Sequence, residues 1–261
     1  MISLLAHRQE NDLLSAIRQE PFLGIRIHSC HDVYGSDANI LIQYDGETPT
    51  AALMGSKDGR WYVAAGSGSD LDELEAFLRS VYLRSMLSSA SICERLSDLG
   101  RYHAAPVMTY CRAAVKQERS TELWESPAFE DVYGLLGKVN HWFCAESPWD
   151  EWYTHHSHLV RHWLGYVCGI YREGQLASTG SITAIGEHYA LISNIATLEE
   201  WRRKGLAAEV VRHLVYTSVA WSKIPCLFCA EESLAGYYNS LGFVTAGHWA
   251  KVERTQTADQ K

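Results

Sequence analysis

The residues best suited to chemistry lie in the stretch TLEEWRRKGLAAEVV, residues 197–211. Three consecutive cations at 202–204 come directly before Gly205 and a run of apolar residues at helical spacing. Cationic side chains repel the positive end of a helix dipole, so they are unfavourable there on stability grounds alone. Together with the unpaired amides of a helix start, however, they bind an anion. Gly205 lets a ligand approach the backbone, and Ala207 keeps the next turn slim. The stretch predicts a pyrophosphate site, with a basic loop before an ordinary helix as the alternative.

Two common nucleotide motifs are absent from the chain. No GxxxxGK[ST] occurs, and no GxGxxG follows a strand-like run. These absences argue against a Walker loop and a dinucleotide-binding fingerprint.

The same stretch resembles the signature of a known family. RRKGLA is similar to the Q/R-x-x-G-x-G/A motif of the GNAT superfamily of acyl-CoA N-acyltransferases, with Arg202, Gly205 and Ala207 on the motif positions. Further along, GYYNSLGF resembles the closing Y-x-x-L-G-F element of that family, with Tyr238 as its tyrosine. The resemblance covers roughly residues 128–254.

The resemblance implies an α/β fold with a mixed sheet that splays between its fourth and fifth strands. Acetyl-CoA would be the co-substrate, with its pantetheine arm in the splay and its pyrophosphate on the amides of residues 203–208. The residues implied in coenzyme binding are Ile195, Ala196, Thr197, Arg202, Arg203, Lys204, Gly205, Leu206, Ala207 and Ala208.

Acetyl transfer to an amine needs a neutral nucleophile, a polarised thioester carbonyl and a proton for the departing thiolate. A backbone N–H of the splayed strand would polarise the carbonyl. Tyr238 matches the general acid of the family, although tyrosines at such helix positions often only pack.

The general base is not assigned by the sequence. The fourth strand, HYALISNIAT, contains no carboxylate, and Glu187 lies before it, while Ser193 and Asn194 could position a water or the acceptor. The segment expected to border the acceptor site offers further proton carriers. These are His141, Glu146, His155, His156, His158 and His162.

We expect no metal site. His158 and His162 stand at i and i+4 on a predicted helix, but the HExxH glutamate is missing and several aromatic residues surround them. These aromatics could pack in the core or line an acceptor pocket. The seven cysteines are scattered, as expected of free thiols, and Cys226 and Cys229 would point to opposite faces of a strand.

Composition limits the class of protein. The chain has 261 residues, 47% of them hydrophobic, enough for one large core or two modest ones. A net charge of −8 argues against a general nucleic-acid binder. No signal-like start and no long apolar run occur, so we expect a cytoplasmic protein without a membrane span.

Periodicity predicts the elements that hold the site. The second half contains two helices, three strands, a helix, a strand, a short helix and a last strand. The first half contains strand-like runs, including GIRIHSC and RWYVAAG, and a helix at SDLDELEAFLRSVYL. The charged run KQERSTELWES is predicted to connect the halves, with a boundary near Ser120, which gives domains 1–120 and 121–261.

The first half resembles a GNAT domain that has lost its coenzyme. Gly66 and Gly68 are flexible, but Asp70, Asp72 and Glu73 at the helix start would repel phosphate. Such a half would shape the acceptor cleft or a homodimer interface, as in tandem members of the superfamily. A substrate-recognition domain of another fold is the alternative.

The sequence therefore predicts two tandem GNAT-like halves and an acetyl-CoA-dependent N-acetyltransferase. The acceptor would be the primary amine of a small molecule, an amino acid or a peptide. A non-catalytic acyl-CoA-binding or sensing module is the alternative.

Overall fold

The computed structural model describes residues 1–5, 10–111 and 123–254. The predicted boundary near Ser120 lies outside these residues. The described chain separates into an N-terminal unit, drawn from Met1–Val107, Cys229–Ala235 and Thr245–Lys261, and a C-terminal unit, drawn from Met108–Phe228 and Gly236–Val244. Within the described ranges, no helix has both the length and the apolar character needed to cross a bilayer.

The N-terminal unit begins as a strand, two helices and an antiparallel set of three strands. Its elements are β1 (Ile2–Leu4), α1 (Glu10–Arg18), α2 (Pro21–Tyr34), β2 (Ile40–Asp45), β3 (Thr48–Gly55), β4 (Arg60–Ala65), α3 (Leu71–Ser80), β5 (Ser85–Ser89), α4 (Ala90–Arg95) and β6 (Gly100–Tyr110). Strands β1 to β4 are antiparallel neighbours, whereas β4 and β5 are parallel.

The C-terminal half repeats this plan. Its elements are β7 (Leu123–Glu125), α5 (Phe129–Val139), α6 (Phe143–Glu146), α7 (Trp149–Arg161), β8 (Tyr166–Arg172), β9 (Gln175–Ile185), β10 (Tyr189–Thr197), α8 (Leu206–Ala220), β11 (Ile224–Phe228), α9 (Ala235–Ser240) and β12 (Phe243–Arg254). Strands β7 to β10 are antiparallel neighbours, and β10 and β11 are parallel.

Both halves therefore place a helix between the fourth and fifth strands, which are parallel in each case, because parallel neighbours need a crossover connection. The end of β12 returns to the N-terminal unit, where Trp249–Glu253 pairs antiparallel with Ser85–Ser89 of β5. The predicted mixed α/β architecture is confirmed.

One predicted element in the first half is wrong. GIRIHSC was expected as a strand because Ile25 and Ile27 alternate with polar residues, yet it lies within α2. Pro21 begins this helix with a preset φ. Gly24 then allows a close approach to α1, since a Cβ there would lie 2.5 Å from the Cβ of Ile17. Because α2 is buried on more than one side, its apolar residues do not form the single stripe of a surface helix.

Short elements were also missed. The periodicity analysis did not predict α1, β5 or α4, and the segment assigned as a connector contains β7, Leu123–Glu125. Strand β5 has the sequence SMLSS, whose three serines do not give the hydrophobic pattern of a buried strand. Met86 and Ser88 are nevertheless both fully buried.

Two helix layers cover the sheet of the C-terminal unit. Helix α8 packs closely on β9 at Gly180, where a Cβ would lie 2.8 Å from atoms of Val210 and Leu214. Neighbouring residues of a strand face opposite sides, so Ser181 and its register partner Val167 face the other layer. There Val167 belongs to an apolar cluster with residues of α5, α7 and β10.

Candidate functional site

In the sheet of the C-terminal unit, β10 extends beyond the end of its pairing with β11. Their parallel register begins at Tyr189 opposite Ile224 and ends at Ile192 opposite Leu227. Strand β10 continues to Thr197, beyond the last register pair recorded between the two strands. The backbone after Ile192 has no recorded register pair on β11, at the place where the family resemblance implies a splay, and β9 supports it on the other side.

A bulge marks the start of this splayed segment. On β9, Ser181 pairs with Ser193 and Thr179 pairs with Ala196, so two residues of β10 oppose one residue between them. Asn194, inside the bulge, has a φ of 55°. A positive φ is costly for a residue other than glycine, and such strain together with a bulge commonly marks a functional site.

The three residues expected to pair with pantetheine have their side chains engaged within the unit. Ile195 lies 3.6 Å from the ideal Cβ position of Gly180, and Ala196 belongs to the apolar cluster under α5 and α7. The hydroxyl of Thr197 lies 2.8 Å from that of Ser178. These contacts leave the backbone as the part of the segment best placed to recognise a ligand.

The loop after β10 leads into the N-terminal end of α8, and we call residues 203–208 the mouth of this helix. Arg203 and Gly205 have positive φ values of 61° and 85°. Gly205 is the N-cap residue of α8 and supplies no capping side chain, and the first recorded bond into the helix runs from the Glu209 N–H to the Gly205 carbonyl. A turn of this kind gathers several N–H groups around one concave point, which suits an anion. Apart from its chain neighbours, no heavy atom of the described residues lies within 4 Å of a Cβ built on Gly205, so this point is open.

The first turn of α8 carries the remaining predicted coenzyme contacts. Leu206 is buried and anchors the helix, whereas Ala207 and Ala208 are half-buried. Their small side chains leave the start of the helix accessible.

Three cations surround the mouth, as the sequence predicts, and all three are exposed. The Nε of Arg202 donates to the carbonyl of Thr197 at 3.2 Å, which ties the loop to the end of β10. The ammonium of Lys204 lies 4.2 Å from the ring centre of Trp201, a cation–π contact. Two of the cations therefore brace the loop while adding positive potential at the mouth.

Tyr238, the predicted acid, lies on α9 and is 8% exposed. Its ring centroid is 6.0 Å from that of Phe243 and 5.1 Å from that of Tyr237. The hydroxyl of Tyr237 is buried and has no partner among the described residues. Burial raises the pKa of Tyr237, and the charge of Arg212 opposes this effect. The packing explanation of these tyrosines and the acid role of Tyr238 both remain consistent with this geometry.

The structure separates the predicted histidines. His158 and His162 stack on each other at the end of α7, with centroids 4.2 Å apart, and His141 is exposed. His156, by contrast, is buried, and its Nε2 lies 3.2 Å from the amide nitrogen of Asn194 in the bulge. Sequence analysis could not distinguish His156 from its neighbours, because the distinguishing contact comes from β10.

Two further candidates lie outside α7 and β10. Glu146 ends the short helix α6, and Glu187 lies exposed in the turn before β10, where its carbonyl accepts a bond from Lys223. Among the described residues, no group of three potential ligands could hold a metal ion. Cys226 and Cys229 are buried, and neither forms a disulfide bond within the described residues.

A second polar pair links α8 to the sheet. The hydroxyl of Tyr166 lies 2.8 Å from the Nε2 of His213, and both side chains are partly buried. Burial lowers the pKa of His213, an effect that the charge of Glu125 partly offsets, and burial also raises the pKa of Tyr166. The helix that carries the candidate phosphate site therefore also carries a histidine whose burial disfavours its protonated form.

The corresponding helix mouth in the N-terminal unit is filled. Asp70 is the N-cap residue of α3, and its carboxylate accepts bonds from the N–H groups of Asp72 and Glu73 at 3.1 and 3.0 Å. The side chain of Gln43 bonds both the N–H and the carbonyl of Asp70. A Cβ on Gly66 would lie 2.0 Å from the side-chain oxygen of Gln19. The chain's own polar groups therefore occupy this end of α3.

A family model matches the part of the chain that contains the open mouth. Residues 130–243 match the Acetyltransferase (GNAT) family. This segment is a GNAT acetyltransferase domain, and its family uses acetyl-CoA as the co-substrate. No curated protein matches the chain.

Solved structures of low sequence identity share the fold over most of the chain. A GCN5-related N-acetyltransferase from Kribbella flavida is 13% identical, with a TM-score of 0.63, and the alignment covers 92% of this chain and 96% of that one. A tandem GNAT protein from the clavulanic acid biosynthesis pathway is 12% identical, with a TM-score of 0.60, and 98% and 99% are covered. A putative GNAT-family acetyltransferase from Novosphingobium aromaticivorans is 16% identical, with a TM-score of 0.53, and 82% and 92% are covered. The GNAT fold expected from the sequence is confirmed.

Proposed function

We propose that the protein is an acetyl-CoA-dependent N-acetyltransferase. It transfers the acetyl group to the primary amine of a small molecule, an amino acid or a peptide, by direct attack in a ternary complex. The observation that carries this proposal is the open, uncapped mouth of α8 beside the splay of β10, inside the GNAT-family segment.

The donor is held chiefly by backbone groups. The pyrophosphate binds the amides of residues 203–208, where Arg203 and Gly205 turn the chain around one point and Arg202 and Lys204 add charge. The pantetheine arm extends along Ile195–Thr197, the part of β10 beyond its last register pair with β11. This arrangement directs the thioester toward the bulge at Asn194.

Backbone groups of the splayed segment and the side chain of Tyr238 supply the chemistry of transfer. A backbone N–H of the splayed segment donates to the thioester oxygen, whose negative charge grows in the transition state. Tyr238 donates a proton to the sulfur of departing coenzyme A. A tyrosine phenol keeps its proton at neutral pH, so it can serve as an acid there.

The alternative is a non-catalytic module that binds or senses acyl-CoA. The absence of a carboxylate from β10 favours this alternative, because such a group would be a ready base. Retention of Tyr238 in the closing motif favours the enzyme, since coenzyme binding alone does not require a proton donor.

Calorimetric titration of the whole chain with acetyl-CoA tests the donor, with NAD and ATP as controls. We expect binding of acetyl-CoA that is lost in Gly205→Glu, because a carboxylate would enter the open phosphate site. Undiminished binding by this variant would remove the site assignment.

Release of the coenzyme A thiol in the presence of primary amines tests turnover. Tyr238→Phe should lower the rate while leaving acetyl-CoA affinity near that of the wild type. An unchanged rate in this variant would place the acid elsewhere. A wild-type protein that binds acetyl-CoA and releases no thiol with any amine would favour the sensing module.

A further inference from the structure

We infer that His156 is the general base, and that its Nε2 accepts the proton of the attacking amine. This inference rests on the proposed acetyltransferase function and assigns the one catalytic role that the sequence leaves open. Three features support it: the tautomer of His156, its position beside the bulge, and buried polar atoms that have no partner among the described residues.

The hydrogen bonds of His156 define its tautomer. Its Nδ1 lies 2.8 Å from the carbonyl oxygen of Trp152, one turn earlier on α7. A carbonyl only accepts hydrogen bonds, so Nδ1 carries the hydrogen and the neutral ring keeps its lone pair on Nε2. The ring also stacks on Trp152, with centroids 4.2 Å apart. The helix therefore fixes both the orientation of the imidazole and the nitrogen that can take a proton.

The lone pair faces the splay. The amide nitrogen of Asn194 lies 3.2 Å from Nε2, a long hydrogen bond in which Asn194 donates. Asn194 lies two residues beyond Ile192, the last residue of β10 paired with β11. Nε2 is thus held beside the backbone that would polarise the thioester. An acceptor amine can take the place of the Asn194 donor with little movement of the ring.

The face of the sheet below α7 contains polar atoms that lack partners. The hydroxyl of Ser181, which is fully buried, and the indole nitrogen of Trp152, which is 5% exposed as a residue, have no partner among the described residues. Ser181 is the register partner of Ser193, whose hydroxyl accepts a bond from Thr183. Buried polar atoms without partners are costly, so a polar group from a ligand is the expected complement of this face.

The proposed step balances as follows. The amine nitrogen attacks the thioester carbon and forms the C–N bond, and its proton passes to Nε2 of His156. The C–S bond then breaks, and the sulfur takes a proton from Tyr238. His156 returns its proton to solvent, and Tyr238 recovers one from solvent, so both residues end in their starting states. The ring of His155, which is half-buried, contacts that of His156 with centroids 5.4 Å apart. We expect His155→Gln to shift the pH profile less than His156→Gln, because it leaves the imidazole of residue 156 in place.

The test compares the wild type with His156→Gln, Asn194→Gly and His188→Gln. Release of thiol from acetyl-CoA is measured across pH with propylamine, glycinamide or a short peptide as the acceptor, and with water alone as the blank. We expect His156→Gln to lower the rate about a hundredfold, the usual contribution of a general base. It should also remove the fall toward low pH that remains after the rates are corrected for protonation of the acceptor amine itself. Asn194→Gly removes the side chain that contacts His156 but places a residue that tolerates positive φ in the bulge. This variant should therefore retain the fall in rate. His188→Gln, an exposed histidine of the same unit, is the matched control.

The outcomes separate this inference from the proposed function. If the wild type releases no thiol with any acceptor, the proposed function fails and the inference fails with it. If the wild type is active but His156→Gln keeps the fall toward low pH that remains after correction for amine protonation, or loses no more activity than Asn194→Gly, His156 only supports the bulge. Nitrogen-15 NMR of the wild-type imidazole tests the inference without a substitution, because hydrogen on Nε2 of the neutral ring would overturn it.

Discussion

Helix α8 of the C-terminal unit begins at Gly205, which places no side chain over its first amides, whereas α3 of the N-terminal unit begins at Asp70, whose carboxylate accepts two of them. Both helices follow the fourth strand of their half and precede a fifth strand that is parallel to it. The two units therefore build the same position in the fold and differ in what fills it.

The difference extends beyond the capping residue. In the N-terminal unit, Gln19 occupies the space beside Gly66, and Gln43 bonds the backbone of Asp70. Around Gly205 the corresponding space is open, and cations approach it rather than carboxylates. The comparison shows that a helix cap and an anion site compete for the same N–H groups. A capped helix is more stable, and an uncapped one can bind a ligand.

Gly205→Asp tests this competition most directly, since it gives α8 the capping residue of α3. We expect acetyl-CoA affinity to fall at least about a hundredfold, because the new carboxylate bonds the amides and repels phosphate. Calorimetry measures the loss. Gly174→Asp is the control, because Gly174 also has a positive φ and open space at its Cβ. Equal losses in both variants would contradict the competition.

Arg203→Ala tests the cationic side of the comparison. Arg203 is exposed at the mouth and has a positive φ. Removing its charge should raise the Kd for acetyl-CoA about tenfold, or about 1.4 kcal/mol, and should weaken the dependence of binding on salt. Titrations at two salt concentrations measure both effects. The exposed Arg101→Ala of the N-terminal unit should change neither.

Asp70→Ala tests the closed mouth. Loss of the cap should lower the free energy of unfolding by about 1 kcal/mol. The variant should gain no second acetyl-CoA site, because Gln19 and Gln43 still fill the region. Urea unfolding and calorimetric stoichiometry measure these two results, with the exposed Asp45→Ala as control. A second bound coenzyme would mean that the carboxylate alone closes the site.

The smallest expected effect concerns pH and the helix that carries the open mouth. Burial lowers the pKa of His213 below its ordinary value of 6.5, so the folded state binds a proton less readily than the unfolded state. Its contribution to stability is therefore complete above pH 6.5 and decreases as the pH falls below that value. Hydrogen exchange, corrected for intrinsic rates, should show α8 losing protection on acidification, and His213→Gln should reduce this change. An unchanged profile would remove His213 as its cause.

The sequence predicted the C-terminal half better than the N-terminal half for a physical reason. The Gly-containing turn REGQ separates the runs of β8 and β9, and the motif around Gly205 combines charge with backbone freedom, so both are visible in the local sequence. The α2 segment was misread because burial on several sides makes its apolar residues alternate as in a strand. The acidic start of α3 could be read from the sequence. That the side chain of Gln19 occupies the space beside Gly66 could not, because this contact depends on tertiary packing.

The same limit applies to the candidate site. His155, His156, His158 and His162 are equivalent in local sequence, and only the bulge at Asn194 selects one of them. In the bulge, two residues of β10 lie opposite one residue of β9. No residue pattern in the sequence of β10 predicts this arrangement. The proposed phosphate site could be predicted because it depends on a local backbone turn, whereas the proposed proton acceptor could be chosen only from the fold.

Strand β12 has a consequence for biosynthesis. Its end, Trp249–Glu253, is the antiparallel neighbour of β5, and Cys93 bonds the carbonyl of Ala250 across a sequence separation of 157 residues. During translation the N-terminal unit therefore emerges with one edge of β5 lacking this partner, and it completes its sheet only when the residues of β12 have left the ribosome. Such long-range closure slows folding, and an uncovered strand edge invites pairing with other chains. The nascent chain is thus most exposed to aggregation while the half that contains the open mouth of α8 is being made.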